Sequence, residues 1–153
     1  MSRSRISQVA VAALVLGMAV TLFALKRDQP TLEELKARVG TASVADRPQL
    51  CLHVAEEQLK NAADFYSAGE SEKAQAALTD VVAYAQLDRD YAIQSHKHEK
   101  QSEIAIRKMV RKLTDMKHTV TRDEQAQLQS TIEQLEKVRD DLLAAMFPKG
   151  GKK

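Results

Sequence analysis

From Ser71 to Phe147 the chain contains neither glycine nor proline, and this run constrains the fold more than any other feature. Glycine and proline most often interrupt regular structure, so 77 residues without either favour helices joined by tight polar turns. Aromatic residues make up only 4% of the chain and tryptophan is absent, which does not favour a twisted sheet. We therefore expect an all-α fold.

The N-terminal region contains an uncharged, mostly apolar segment from Ile6 to Leu25. Arg3 and Arg5 lie in residues 1–5 before this segment, and two further basic residues follow it. Twenty such residues at about 1.5 Å each span the roughly 30 Å core of a bilayer. Residues 6–25 are therefore predicted to form a hydrophobic helix, either a transmembrane anchor or an uncleaved signal, preceded by a basic flank.

A cleaved secretory signal is the alternative to an anchor. The apolar stretch of a signal peptide is usually roughly 7 to 15 residues long and ends in a small-x-small cleavage site. Cleavage after Ala24 would place Leu22 at the third position back, which is a poor match. The basic residues before the segment favour a cytoplasmic N-terminus with the C-terminal region exported. We expect a single-pass membrane protein, or a secreted or periplasmic protein if the signal is removed.

Breakers and capping residues divide the rest of the chain. Residues 26–47 are predicted to hold a short helix that starts at Thr31 and ends where Gly40 takes a left-handed conformation, followed by a linker. Residues 48–148 are predicted to form a helical bundle. Residues 149–153 are expected to be a basic, disordered tail.

The first bundle helix should start near Pro48 and continue to about Ser67, because proline favours the first turn of a helix. Gly69 is placed to take positive φ in the turn that follows. The next apolar pattern fades before it returns, so residues 71–118 are either one helix or two helices that break near residues 95–98. The sequence leaves both open.

Two heptad patterns mark the C-terminal part, with apolar residues three and four apart. Thr121 and Glu124 have the spacing of a capping box, so the last helix should run from about Arg122 to Met146. The short link predicts an antiparallel hairpin that packs against the earlier helices or against a second copy. Arg139 is the one polar residue expected in the second seam. The apolar candidates for contacts are Ile106, Met109, Leu113, Met116, Leu128, Ile132, Leu135 and Leu142.

The stretch His96-Lys97-His98 resembles a metal site at first sight. Residues two apart on a helix point about 200° away from each other, so His96 and His98 share no helical face. They are weak metal candidates only if the helix breaks between them. Cys51 is the sole cysteine, and a small buried side chain is its expected role. We expect no cofactor.

A basic stretch runs from Lys97 to Lys117, with seven basic residues and three acids. A solvated face that pairs with the acids of the last helix is the first interpretation. Contact with an anion is the second. After Leu25 the numbers of basic and acidic residues are equal, so a nucleic-acid partner is not expected.

No nucleophile elbow, phosphate-binding loop, zinc-protease motif or dinucleotide fingerprint occurs in the chain. We therefore predict that the protein is not an enzyme. The leading hypothesis is a membrane-anchored or exported helical protein of the cell envelope that acts through protein–protein contacts, including self-association along the heptad seams.

The arrangement of Ala62, Phe65, Gly69, Ala74 and Leu78 resembles one tetratricopeptide unit, with an aromatic residue before the turn, a turn glycine and a small residue early in the second helix. The match covers about 34 residues and lacks the closing proline, and no second copy follows. The resemblance implies a peptide binder. The alternative function is therefore an exported ligand-binding module, either for a peptide or for a metal or anion held by residues 96–117.

Overall fold

A computed structural model describes residues 30–148, and these form five α-helices without a strand. The all-α prediction is confirmed for this part of the chain. None of its helices is both long and apolar enough to cross a bilayer. The predictions for residues 1–25 and 149–153 fall outside the described residues. In order, the helices are α1 (Leu32–Thr41), α2 (Arg47–Ser67), α3 (Ser71–Ser95), α4 (Glu99–Met116) and α5 (Arg122–Met146).

Helix α1 does not end as the sequence suggested. It continues through Gly40 to Thr41, and of the described glycines only Gly69 has a positive φ, at 73°. The left-handed Gly40 is therefore a wrong prediction. The guanidinium of Arg47 donates to the carbonyl oxygens of Gly40 and Ala42, so a cation meets the end of the helix where carbonyl groups lack intrahelical partners.

The main core lies between α2, α3, α4 and α5. Small residues let α2 and α3 approach closely, and large ones fill the space against α4 and α5. Burying each leucine or isoleucine contributes about 1.5–3 kcal/mol. The alanines at the α2–α3 contact include Ala55, Ala62, Ala77 and Ala85, and the large core residues include Leu59, Leu78, Ile106, Leu113, Leu128, Leu135 and Leu142.

A second cluster fastens α1 to α2. Leu35 and Val39 pack against Cys51 and Val54, all at most 7% exposed. Burial raises the pKa of the Cys51 thiol to about 12, so it stays a neutral thiol at ordinary pH. The prediction of a small buried side chain at this position is confirmed.

Helices α4 and α5 form an antiparallel pair. Near their link Lys117 donates to Gln129 at 2.7 Å, and farther along each helix Arg139 Nε donates to Glu103 Oε1 at 2.9 Å. The link ends in the predicted capping box, in which Glu124 Oε2 accepts from the Thr121 amide at 2.8 Å. The last helix starts at Arg122, as expected.

The second seam departs from its prediction at one position. Val138 is 1% exposed, whereas the Arg139 side chain is 37% exposed and lies beside the seam. The placement of Arg139 within the seam is therefore wrong. Helix α5 packs on both α3 and α4, so its buried stripe is wider than a two-helix seam and also includes Thr131.

The chain breaks between α3 and α4, which answers the question that the sequence left open. Helix α3 ends at Ser95 and α4 starts at Glu99. His96 and His98 both have left-handed backbones, with φ of 52° and 68°. Residues 71–118 therefore form two helices with a three-residue joint.

Candidate interaction surfaces

The predicted contact residues of the two seams are directed into the bundle. Seven of the eight are at most 6% exposed, and Met116 is partly buried against the same core. They contact α2 and α3 as well as each other. The described residues therefore show the α4–α5 hairpin packed against the earlier helices of the same chain. An interface between copies through the same side chains would require α4 and α5 to leave the core.

The two candidate metal ligands have separate neighbours. His96 is largely exposed, and its Nδ1 lies 3.9 Å from Glu99 Oε1. His98 Nδ1 shares a hydrogen bond of 3.2 Å with the side-chain amide of Gln49 on α2. Within residues 30–148 no three histidine, cysteine or acidic side chains are grouped closely enough to hold a metal ion.

The basic stretch lies on the exposed side of α4. Only one of its cations forms an ion pair across described residues: Arg107 Nε is 3.8 Å from Glu103 Oε1. The acids of α5 do not neutralise the others, and Asp141 pairs instead with Arg89 of α3 at 2.8 Å. The expected pairing with the last helix is therefore not found in this part of the chain. The exposed cations that form no ion pair with residues 30–148 are Lys97, Lys100, Lys108, Arg111 and Lys112.

A groove of about 360 Å³ lies between α3 and α5. Its floor is apolar at Leu78 and Val82, and no side chain that lines it carries a charge. Cross-helix polar contacts lie beyond it on either side, between Ser71 and Glu124 and between Arg89 and Asp141. The other lining residues are Gln75, Thr79, Ala83 and Gln86 of α3 and Gln127, Ser130, Thr131 and Gln134 of α5.

One side chain that lines this groove has an acceptor without a partner. The Oε1 atom of Gln127 is buried and accepts no hydrogen bond from any described residue. A buried amide oxygen without a donor costs roughly 1–3 kcal/mol, and a ligand N–H group would relieve this cost only if the Gln127 side chain turned its oxygen into the groove. The sequence reading missed this groove. The available signal was the recurrence of glutamine, serine and threonine at three- and four-residue spacing on two helices.

A buried acid lies where α3 meets α4. Asp88 is fully buried, its Oδ1 accepts from the Ser102 hydroxyl at 2.7 Å, and its Oδ2 has no described partner. Burial raises the pKa of the Asp88 carboxyl to about 7, although the hydrogen bond from Ser102 acts in the opposite direction. Asp88 falls on the apolar stripe of α3, between Ala85 and Ala92, and that position was the signal for its burial.

Glu103 lies in the α4–α5 contact, at the end away from the link between the two helices. It is 8% exposed and lies between Arg139 of α5 and Arg107 of its own helix. Polar contacts of this kind fix which side of α4 faces the core. They leave the row of cations on the opposite side exposed.

Comparison with known proteins gives no relative from which a role could be transferred. No family model, no curated protein and no solved structure matches this chain. The α2–α3 hairpin keeps the features that resemble a tetratricopeptide unit, with Ala62, Ala74 and Leu78 buried and Gly69 in the turn. A single hairpin of this kind does not identify a family.

Proposed function

We propose that this chain is a non-catalytic helical protein of the cell envelope, tethered to a membrane by residues 6–25, that acts by binding another protein. The tether is inferred from the length and charge flanks of the apolar segment. The α3–α5 groove is the observation that carries the binding role. It favours a protein partner over a charged small molecule, because its lining is uncharged.

The chemistry of the groove suits an extended peptide segment. A glutamine amide both donates and accepts, so it can pair with the N–H and C=O groups of a backbone. Gln127 and Gln134 are seven residues apart on one helix, or about 10.5 Å, which is close to three residues of extended chain. Gln127 Oε1 accepts no hydrogen bond from the described residues, and it could accept one from a partner N–H group if the side chain turned into the groove. The partner segment is therefore proposed to be uncharged where it crosses the groove.

Self-association along the heptad seams is the less favoured form of this proposal. The seam side chains already pack within the chain, and exposing them again would cost roughly 1.5–3 kcal/mol for each large apolar residue. The groove needs no such rearrangement. It therefore explains a protein contact at a lower energetic cost.

The alternative function, an exported ligand-binding module, divides into three cases. Its peptide-binding form coincides with the groove. Its metal-binding form has little support, since His96 and His98 have different partners. Its anion-binding form would use the exposed cations of α4 and does not depend on the groove.

The binding proposal is tested by site-specific photocrosslinking of the full chain in its own cells. A photoreactive residue at Thr79, inside the groove, should form a discrete adduct, and one at Ala76, exposed on the same helix outside the groove, should not. The substitution Ala83→Arg should abolish the adduct, because it introduces a charge and bulk into the groove. The matched control Ala76→Arg should preserve it.

Two results would contradict the proposal that the groove binds a partner. One is equal crosslinking at Thr79 and Ala76, and the other is an adduct that survives Ala83→Arg. The tether is tested separately, by mass spectrometry of the chain in membrane and soluble fractions of these cells. An intact chain in the membrane supports it, whereas a soluble product that starts near Leu25 would make the protein an exported one.

A further inference from the structure

Charge in the described part of the chain is divided between α4 and the rest. Residues 97–117 contain seven basic and three acidic side chains, whereas the other residues in 30–148 contain nine basic and 17 acidic ones. From Lys100 to Lys112 the only acid is Glu103, which is buried and pairs with Arg139 at 2.9 Å and more distantly with Arg107 at 3.8 Å. Helix α4 therefore presents a cationic face on an otherwise acidic bundle.

The cations of this face project from one side of the helix. Lys100, Arg107 and Arg111 follow at spacings of seven and four residues, and Lys108 and Lys112 form a neighbouring row. All five are exposed, and the opposite side of α4 is held in the core by Ile106, Met109 and Leu113. The five residues Lys100, Arg107, Lys108, Arg111 and Lys112 are called the α4 basic face below.

We propose that the α4 basic face binds the phosphate headgroups of an anionic membrane surface. This inference rests on the proposed tether, because only six residues, 26–31, separate the apolar segment from α1. Six residues span at most roughly 20 Å in any conformation, so a tethered bundle stays at high effective concentration near lipid headgroups. A fixed row of cations complements such a surface, since mobile lipids can move to meet each charge.

A lipid surface fits this face better than a nucleic acid. A long polyanion would extend beyond α4 and meet the acidic excess of the remaining helices, which repels it. A membrane needs to meet only the one face. The binding should weaken with salt, because the Debye length falls to about 10 Å at 0.1 M and the cations are exposed.

The test uses the full chain reconstituted in nanodiscs that contain either neutral lipid alone or neutral and anionic lipid together. A nitroxide at Gln101→Cys, exposed beside the α4 basic face, reports proximity to a paramagnetic metal chelate carried on lipid headgroups. The same label at Glu136→Cys, exposed on α5, is the matched control. Cys51 is buried and is replaced by alanine in both.

Strong relaxation at residue 101 in anionic discs, weak relaxation in neutral discs and little at residue 136 would support the proposal. Each basic residue near an anionic surface contributes about fivefold in affinity. The triple variant Lys108→Gln, Arg111→Gln, Lys112→Gln should therefore bind the anionic surface roughly 100-fold more weakly. The control variant carries glutamine at Lys60, Lys73 and Lys137, which are exposed outside the α4 basic face. Its affinity for the anionic surface should fall much less. Circular dichroism checks that both variants stay folded.

Equal relaxation in anionic and neutral discs would overturn the proposal. It would also be overturned if the triple variant kept its lipid proximity but lost retention on an immobilised oligonucleotide. If the chain does not enter discs at all, the tether fails. In that case salt-sensitive sedimentation of the same chain with anionic vesicles, and its loss in the triple variant, tests the α4 basic face alone.

Discussion

The α2–α3 and α3–α4 joints use the same backbone motif with different residues. In the first, Glu70 N donates to Phe65 O at 2.8 Å and Gly69 has the left-handed conformation. In the second, Lys97 N donates to Ala92 O at 3.3 Å and His96 is left-handed. Both are Schellman endings, which normally contain glycine.

The difference shows that the two joints form for different reasons. Glycine adopts positive φ without strain, so the α2–α3 turn is favoured locally. A histidine in that conformation costs roughly 1–2 kcal/mol, and the second joint contains two of them. Contacts distant in sequence offset this cost: Ser102 donates to buried Asp88, and His98 pairs with Gln49.

The largest expected effect concerns Asp88, which holds the second joint. Its carboxyl pKa is raised from 3.8 to about 7 in the folded protein, so the folded state binds a proton that the unfolded state loses. The contribution of Asp88 to the free energy of unfolding is full below about pH 4 and falls by about 4 kcal/mol as pH rises to 7. Asp88→Asn should remove this dependence.

Urea unfolding followed by circular dichroism at several pH values between 4 and 8 measures that contribution. Asp90→Asn, an exposed acid two residues away, is the control and should keep the wild-type pH dependence. Other carboxyls titrate equally in wild type and variant, so the difference isolates Asp88. Parallel stability curves for wild type and Asp88→Asn would show that its carboxyl is not the buried acid described.

The first joint should respond to loss of its glycine. Gly69→Ala should lower the free energy of unfolding by roughly 1–2 kcal/mol, because φ is positive although nothing lies within 4 Å of the added Cβ. Gly40→Ala is the matched control: it is helical and equally open, so it should raise stability by about 0.5–1 kcal/mol. Thermal unfolding should show midpoint shifts of opposite sign. Shifts in the same direction would contradict the conformational argument.

The smallest effect is expected at the second joint itself. His96→Gly relieves the left-handed strain but makes the unfolded chain more flexible, so a net gain of about 0.5 kcal/mol is expected. His118→Gly, at an exposed turn residue without positive φ, should give no gain. Chemical denaturation compares the two. A loss of stability in His96→Gly would mean that the imidazole itself stabilises the joint.

The elements that were predictable from the sequence depend on local patterns. Gly69, Pro48 and the Thr121 capping box set the ends of helices through interactions within a few residues, and the heptad spacing placed α4 and α5 together. The backbone conformation of Gly40 was wrongly predicted, because the guanidinium of Arg47, seven residues away, donates to the carbonyl oxygen of Gly40 at the end of α1. Local rules do not anticipate such a contact.

The surfaces were harder to predict because they depend on which helices become neighbours. The uncharged groove exists only because α3 lies beside α5. Most cations of α4 form no ion pair within residues 30–148, and Asp141 of α5 pairs instead with Arg89 of α3. The break at His96 was undecidable for the same reason. Its main support, the contact from Asp88 to Ser102, joins two helices across the joint.

Amide hydrogen exchange of the full chain at pH 7.5, comparing wild type with Ser102→Ala, tests most directly whether a distant contact holds the α3–α4 joint. Ser102→Ala leaves the Asp88 carboxyl buried without its partner on α4, so amides of residues 96–103 should exchange about tenfold faster or more. Amides around Gly69 should exchange as in wild type. Unchanged exchange at residues 96–103, or equal acceleration at both joints, would contradict the account.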